Sequence, residues 1–318
     1  MSPIKGFLEV QAAIAERRPL LMVDRLEVDG SGRRARGVKA VSMDEEFFQG
    51  HFPGAPIMPG VLQVAAMCQV GGVLIERQEW QVDHIPWLRG LHRTKFRKPV
   101  VPGDLLVIEA WLEDGPVTPG EVLIGAQTLV NGEVTCQGQL RMTLCPLASL
   151  RVPPAELLSP LPPVTGVEVP HTLSTREIMK WIPHRYPFLL IDRILHLDAG
   201  RQRIVGLKNI TANEPFFAGL PVPAVPGFLQ VEMAAQVGCV LALSLPENQN
   251  KLGIFMAIDE ADFLIPVIPG DRLVLDIVTN LRPRFGKGEA QLFVGERLVS
   301  RVAIKFAVVD REAAEPGA

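Results

Sequence analysis

The strongest constraint on this chain is that it matches itself. The segment RPLLMVDRL at 18–26 returns as YPFLLIDRI at 186–194. Gly37-Val38-Lys39 returns as Gly206-Leu207-Lys208, and Phe47-Phe48 as Phe216-Phe217. PGVLQVAAMCQVGGVL at 59–74 recurs as PGFLQVEMAAQVGCVL at 226–241, and PVVPGDLLVIE at 99–109 as PVIPGDRLVLD at 266–276, both with an offset of 167. Anchors in one order across most of 318 residues define a tandem duplication, so the two domains that the length suggests are two copies of one fold. The boundaries fall at 1–145 for copy 1, 146–171 for a linker, 172–310 for copy 2 and 311–318 for a tail. Seven prolines in 146–170 predict a stiff, extended linker that neither joins a sheet nor continues a helix.

Within each copy the pattern predicts a short opening helix, a strand, a loop, one long apolar helix and several strands. In copy 1 the strands are LLMVDRLEVDG, ARGVKAVS, FRKPV, LLVIEAWLED, EVLIGAQTLVNG and EVTCQGQLRMTLC, and the helix runs from about Gly60 to Arg77. That helix is apolar almost all round, so most of its surface must be covered. Antiparallel strands rich in Val, Ile and Leu are the available cover, which makes the fold α+β: a curved sheet wrapped round a central helix, twice. Pairing the copies edge to edge removes two open strand edges. The apolar stretches at 59–75 and 222–245 carry Gln63, Gln69, Gln230, Glu232 and Gln236 in mid-run, which points to buried core helices and not membrane spans.

Charge narrows the function. Lys and Arg total 32 against 35 Asp and Glu, split evenly between the halves, so no basic half offers itself to nucleic acid. Four scattered cysteines without a CxxC pair argue against a disulfide scaffold or zinc ribbon, and with no apolar N-terminal leader the expected location is cytoplasmic. Cys68 and Cys239 are expected in the core. Asp24-Arg25 and Asp192-Arg193 are expected to brace strand ends or the interface.

The runs GHFPGAPIMPGVL at 50–62, IPHRYPFLLIDRI at 182–194 and FRKPVVPGDLL at 96–106 carry a family resemblance. Together they resemble 3-hydroxyacyl-acyl-carrier-protein dehydratases of the FabZ type, which have the hotdog fold. The resemblance covers both copies and implies a double hotdog. Its catalytic pair is the His of GHFPG and a Glu fourteen residues later. Copy 1 has His51 but Ala65 at the Glu position; copy 2 has Glu232, but a loop two residues shorter puts Leu220 at the His position. Family sites form between two hotdogs, so His51 of copy 1 and Glu232 of copy 2 make one composite site. The opposite interface combines Leu220 with Ala65 and is expected to be fully apolar and inactive.

These residue types suit the implied reaction. Dehydration removes an α-proton and protonates a departing β-hydroxyl, tasks for a neutral His base and a carboxylic acid whose pKa is raised by an apolar setting. Gly60 or Gly227, each opening a central helix, is the candidate oxyanion donor for the thioester. No metal, nucleotide or other cofactor is expected. His184 is taken as structural because copy 1 has Glu16 there. The window 89–98 holds Arg89, Arg93, Lys95, Arg97 and Lys98 with no acid, while 256–265 holds three acids and no base. This group is expected to dock an acidic acyl carrier protein bearing a 3-hydroxyacyl phosphopantetheine thioester. Its alternative is an edge strand guarded by basic residues.

The resemblance further implies a trans-2-enoyl product, an intramolecular pseudo-dimer, and a chain acting alone or as a trimer. A helix Glu with PHRYPF favours a simple dehydratase over a dehydratase-isomerase. The competing functions are a hotdog thioesterase, which does not need the GHFPG His, and a catalytically inactive acyl-binding module.

Overall fold

A computed structural model describes residues 6–76, 84–114, 120–151, 172–248, 251–282 and 285–310. Copy 1 runs α1 (Phe7–Ala13), β1 (Arg25–Val28), β2 (Arg34–Ala40), α2 (Gly60–Glu76), β3 (His84–Phe96), β4 (Leu105–Leu112), β5 (Val122–Val130) and β6 (Glu133–Pro146). A five-residue helix, α3 (Leu147–Arg151), follows. Copy 2 runs β7 (Leu173–Ser174), α4 (Thr175–Trp181), β8 (Arg193–Asp198), β9 (Arg203–Asn209), α5 (Gly227–Ser244), β10 (Lys251–Phe263), β11 (Arg272–Leu281), β12 (Phe285–Val294) and β13 (Arg297–Asp310).

Among the described residues, all strands join one antiparallel 13-stranded sheet in the order β1-β2-β4-β5-β6-β3-β10-β13-β12-β11-β9-β8-β7. The second half mirrors the first, and the copies meet where β3 pairs β10. There Ile258 faces Thr94 and Ala261 faces Leu91. With the offset of 167, Leu91 corresponds to Ile258 and Thr94 to Ala261, so the two pairs exchange when the copies exchange. That is the register of a two-fold interface made within one chain. β3 lies in mid-sheet between β6 and β10, so the basic window is not on an edge strand and the guarded-edge alternative is wrong.

Alternation buries one face of each strand; in β4 these are Leu106, Ile108, Ala110 and Leu112. The sheet closes over α2 and α5. By length and hydropathy α5 could cross a membrane, but 83% of it is buried here. Its polar residues are satisfied: Gln230 donates to the Val225 carbonyl at 3.1 Å and accepts from Ser300 at 2.6 Å. In α2, Gln63 accepts from Thr128 and Thr135, each at 2.8 Å. Each such bond avoids about 1–3 kcal/mol of desolvation cost for an unpaired buried group.

The repeated motifs have local reasons. A Cβ on Gly37 would lie 2.6 Å from Val70, and one on Gly206 2.4 Å from Val237, so strand and helix touch there only because both positions are glycine. Lys39 pairs with Glu45 and Lys208 with Glu214, the latter at 2.5 Å, deep under the loops. Asp24 and Asp192 accept from the Ala40 and Asn209 backbone at 2.6 and 2.7 Å, which ties strand ends together.

Three local expectations change. Residues 20–23 are not strand, because Gln69 claims their backbone: it accepts from Met22 N–H at 2.8 Å and donates to the Leu20 carbonyl at 2.6 Å. Residues 97–100 follow β3 and are not a strand of their own. Residues 147–151 are helical where extended chain was expected, with Leu150 packed on Val222, Ala224 and Ile268. The rest of the expected linker, 152–171, and the tail lie outside the described residues.

Candidate active site

The loop before α2 places His51. A short 3-10 turn, Glu46–Gln49, buries Phe47 and Phe48 and delivers the chain to Gly50. Gly50 lies flat against the opening turn of copy 2: Arg185 N–H donates to its carbonyl at 3.0 Å, and a Cβ there would be 2.1 Å from the Arg185 carbonyl oxygen. The mirror contact also exists, with Arg17 N–H donating to the Gly219 carbonyl at 2.7 Å. Each copy therefore clamps the other's loop.

His51 Nδ1 lies 2.7 Å from the Ile57 carbonyl oxygen. A carbonyl only accepts, so Nδ1 carries the hydrogen and Nε2 presents a lone pair. Burial, reinforced by the charge of His184, lowers the His51 pKa to about 4 against the pull of Glu232 and the carbonyl. The imidazole is thus neutral at ordinary pH. Phe52 stacks on it at 3.9 Å between centroids, and Phe188 meets it edge-on at 5.6 Å.

Glu232 enters the same space from α5, 5% exposed. Gln236, one helical turn on, donates to its Oε1 at 2.8 Å. The same amide group donates to the Phe188 carbonyl and accepts from Leu190 N–H, both at 2.9 Å, so one side chain fixes both the carboxyl and the segment 188–190 that leads into β8. His184 Nε2 lies 3.4 Å from Glu232 Oε1, and its ring is 5.4 Å from that of His51.

Two expectations are corrected here. His184, set aside as structural, sits inside the cluster. The carboxyl of Glu232 is not raised: burial pushes it up, but the hydrogen bond and charge of His184, the charge of His51 and the Gln236 amide together bring it below its usual value. The sequence held a signal for His184, namely that the copies differ there as they do at His51 and Glu232.

The mirror site is different. Ala65 is buried, and Leu220 borders a small cavity of about 60 Å³ against Cys68, Gln69 and Val73 of α2. Glu16, in the place of His184, lines it too. The expectation of a fully apolar site therefore fails at Glu16, whose carboxyl is raised by burial. Gly227 also lines this cavity, beside Leu220. By the two-fold relation, Gly60 is the helix-opening glycine that belongs with His51.

Of the basic window, Lys98 pairs with Glu133 and Arg97 donates to Gln137 at 3.3 Å. Arg93, Lys95 and Arg97 are exposed, and Arg89 is half-buried. Phe96, amid this group, packs where a Cβ on Gly60 would meet its ring at 2.9 Å. The basic group therefore flanks the His51 side of the interface. Across it lie Asp259, paired with Lys305 at 2.5 Å, and Asp262, paired with Arg141.

Among the described residues, His51, His184 and Glu232 are the one group with side chains suited by type and spacing to hold a metal ion, their ligand atoms lying within 4.8 Å of one another. The contacts among them are equally those of a proton-sharing cluster: two imidazoles and a carboxyl with one lone pair directed inward.

Fold and site define a double hotdog with one polar and one largely apolar inter-copy site. The chain belongs to the FabA-like domain family, whose profile matches residues 14–139 and 182–303. It is 47% identical over 141 residues to the 3-hydroxyacyl-[acyl-carrier-protein] dehydratase FabZ of Alkaliphilus metalliredigens, covering 43% of this chain and 95% of that protein. The FabZ of Clostridioides difficile is 47% identical over 142 residues, covering 44% of this chain and 99% of its own. In structure, the dehydratase domain of PpsC from Mycobacterium tuberculosis, solved with C12:1-CoA, aligns over 92% of this chain and 100% of its own, with TM-score 0.57 and 13% identity. The dehydratase domain from the CurJ module of curacin polyketide synthase covers 92% of this chain and 98% of its own, with TM-score 0.57 and 11% identity.

Proposed function

We propose that this protein is a hydro-lyase that dehydrates 3-hydroxyacyl thioesters to trans-2-enoyl thioesters in fatty acid or polyketide-type biosynthesis, through one composite site. The observation that carries this reading is the convergence of His51 from copy 1 and Glu232 from copy 2 in one buried cluster, although each copy has lost the other half of the pair.

His51 Nε2 takes the α-proton, and the electron pair of that C–H bond becomes the new C=C bond. The Cβ–O bond breaks and the hydroxyl leaves as water, with its proton supplied by the Glu232–His184 pair. The proton gained by His51 then returns to the pair, which balances the cycle. The Gly60 N–H, at the positive end of α2, faces the thioester oxygen as it gains charge. No step needs a metal, so a chelator should leave turnover unchanged.

The substrate arrives on an acidic acyl carrier protein at Arg93, Lys95 and Arg97, with Arg89 and Lys98 at the margins. Reversing Lys95 and Arg97 together to Glu should raise KM for carrier-bound substrate at least tenfold at low salt, leaving KM for a pantetheine-bound substrate within twofold. An unchanged KM for the carrier substrate in the reversed variant, relative to wild type, sinks the docking surface. The reaction itself is tested by following enoyl absorbance from a 3-hydroxyacyl carrier-protein thioester. Release of free thiol without enoyl product would instead make the protein a thioesterase.

A further inference from the structure

His184 is the least satisfied member of the active-site cluster. It is 8% exposed, its Nδ1 has no hydrogen-bond partner among the described residues, and its Nε2 contact to Glu232 is long at 3.4 Å. Buried polar atoms are normally partnered, so an orphan nitrogen beside other donor groups calls for a ligand or an ion. His51 is prepared differently. Its Nδ1–H is tied to the Ile57 carbonyl at 2.7 Å, which fixes the tautomer and leaves the Nε2 lone pair free. Glu232 is oriented by the Gln236 amide, which donates to Oε1 at 2.8 Å. A carbonyl behind an imidazole and an amide behind a carboxylate are the outer contacts that hold metal ligands in position.

We propose that His51, His184 and Glu232 form an inhibitory site for one zinc ion per chain, which stops dehydration by occupying the His51 lone pair and the Glu232 carboxylate together. Two imidazoles and one carboxylate suit Zn²⁺, whereas Mg²⁺ and Ca²⁺ favour sites built wholly of oxygen. Three protein ligands leave the fourth tetrahedral position to water. Ligand atoms on a tetrahedral zinc stand about 3.4 Å apart, given zinc–ligand bonds of about 2.0–2.2 Å. His184 Nε2 and Glu232 Oε1 already have that separation, and the ligand atoms of all three residues lie within 4.8 Å of one another. The ion therefore draws the side chains together by about 1 Å, and His184, with one nitrogen unpartnered and the other in a long contact, is the side chain free to move. The mirror positions cannot compete: Leu220 and Ala65 carry no donor, and Glu16 alone is a single ligand. Loss of turnover rests on the reading of His51 and Glu232 as the catalytic pair; binding of the ion rests on the cluster alone.

The test titrates the chelator-treated full chain with Zn²⁺ in thiol-free buffer, following binding by calorimetry and turnover by enoyl absorbance. Wild type should bind one tight equivalent, lose turnover at least tenfold as that equivalent fills, and regain it with EDTA. Mg²⁺ or Ca²⁺ at the same concentration should change neither binding nor rate. His184→Ala should weaken the tight equivalent at least tenfold, while Glu16→Ala at the mirror position leaves it unchanged. Should His184→Ala fail to fold, Glu232→Gln, which keeps the shape of the side chain, must show the same weakening. Co²⁺ in place of Zn²⁺ reads the donor atoms directly. Visible bands of tetrahedral cobalt without a thiolate charge-transfer band support two imidazoles and a carboxylate, and a thiolate band assigns the ion to a cysteine and refutes the site. The absence of a tight equivalent in wild type, or an affinity unchanged in both His184→Ala and Glu232→Gln, would also overturn the proposal. Tight binding that depends on His184 and Glu232 but leaves turnover intact would strike the catalytic reading, and with it the inhibition, while the ion site itself stood.

Discussion

The two inter-copy sites are built from the same elements in mirrored roles; three positions and a loop two residues shorter in copy 2 separate them. His51 faces Glu232 and His184 on one side; Leu220, Ala65 and Glu16 hold those places on the other. The loop clamps at Gly50 and Gly219 and the glutamine clamps at Gln236 and Gln69 are the same on both. The fold therefore specifies the shape of both sites, and single side chains specify the chemistry of one. The broadest test of that separation is mutational asymmetry. His51→Ala and Glu232→Gln should each lower turnover by about 10²–10⁴-fold, the usual worth of positioned proton transfer. Leu220→Ala and Ala65→Ser should leave it within twofold. Enoyl formation that survives both catalytic variants would show the composite site to be the wrong one.

His184 and Glu16 sharpen the comparison at a smaller scale. The charge of His184 helps to hold the His51 pKa near 4 and contributes to the low Glu232 carboxyl. Removing it takes away a positive neighbour, so both groups should titrate at higher pH. His51 must be neutral to act as a base, hence the acid limb of kcat/KM in His184→Ala should move up from about pH 4 toward the ordinary imidazole value. We expect kcat to fall about tenfold as Glu232 loses its hydrogen-bonding partner. Glu16→Ala, at the mirror position, should leave the pH profile where it is. An unshifted acid limb in His184→Ala would reduce His184 to a packing residue.

Much of this was legible in the sequence because duplication doubles the information. The offset of 167 exposed the copies, and a surviving His in one with a surviving Glu in the other pointed to the cluster in which they meet. What stayed hidden lay in contacts that no spacing reveals. His184 is distant in sequence from both His51 and Glu232, and only the clamp between Arg185 and Gly50 brings it to them. The lowered carboxyl of Glu232 follows from that neighbour, whereas the apolar helix alone suggested the opposite sign. Residues 20–23 looked like strand from their Leu, Met and Val content. Their backbone partners turned out to be a side chain from α2, which local propensity cannot see.

The finest test sets Gln69 against Gln236. Both are buried, and both satisfy one N–H and one carbonyl of an opening segment that has no strand beside it. Replacing either by Ala strands those two backbone groups and opens a small void. We expect each to lower stability by about 1–3 kcal/mol, visible as a similar drop in urea midpoint. Only Gln236 also donates to a carboxyl. Its loss removes one of the groups that keep Glu232 low, so Gln236→Ala should add a severalfold fall in kcat that Gln69→Ala does not show when both are assayed well below their unfolding transitions. Gln236→Glu separates the roles further. It can still accept from Leu190 N–H, but it sets a second carboxyl against Glu232, so its rate should fall below that of Gln236→Ala. Equal rates in Gln69→Ala and Gln236→Ala would mean that the glutamine clamp serves the frame alone, and that the chemical difference between the two sites resides entirely in the three positions that differ.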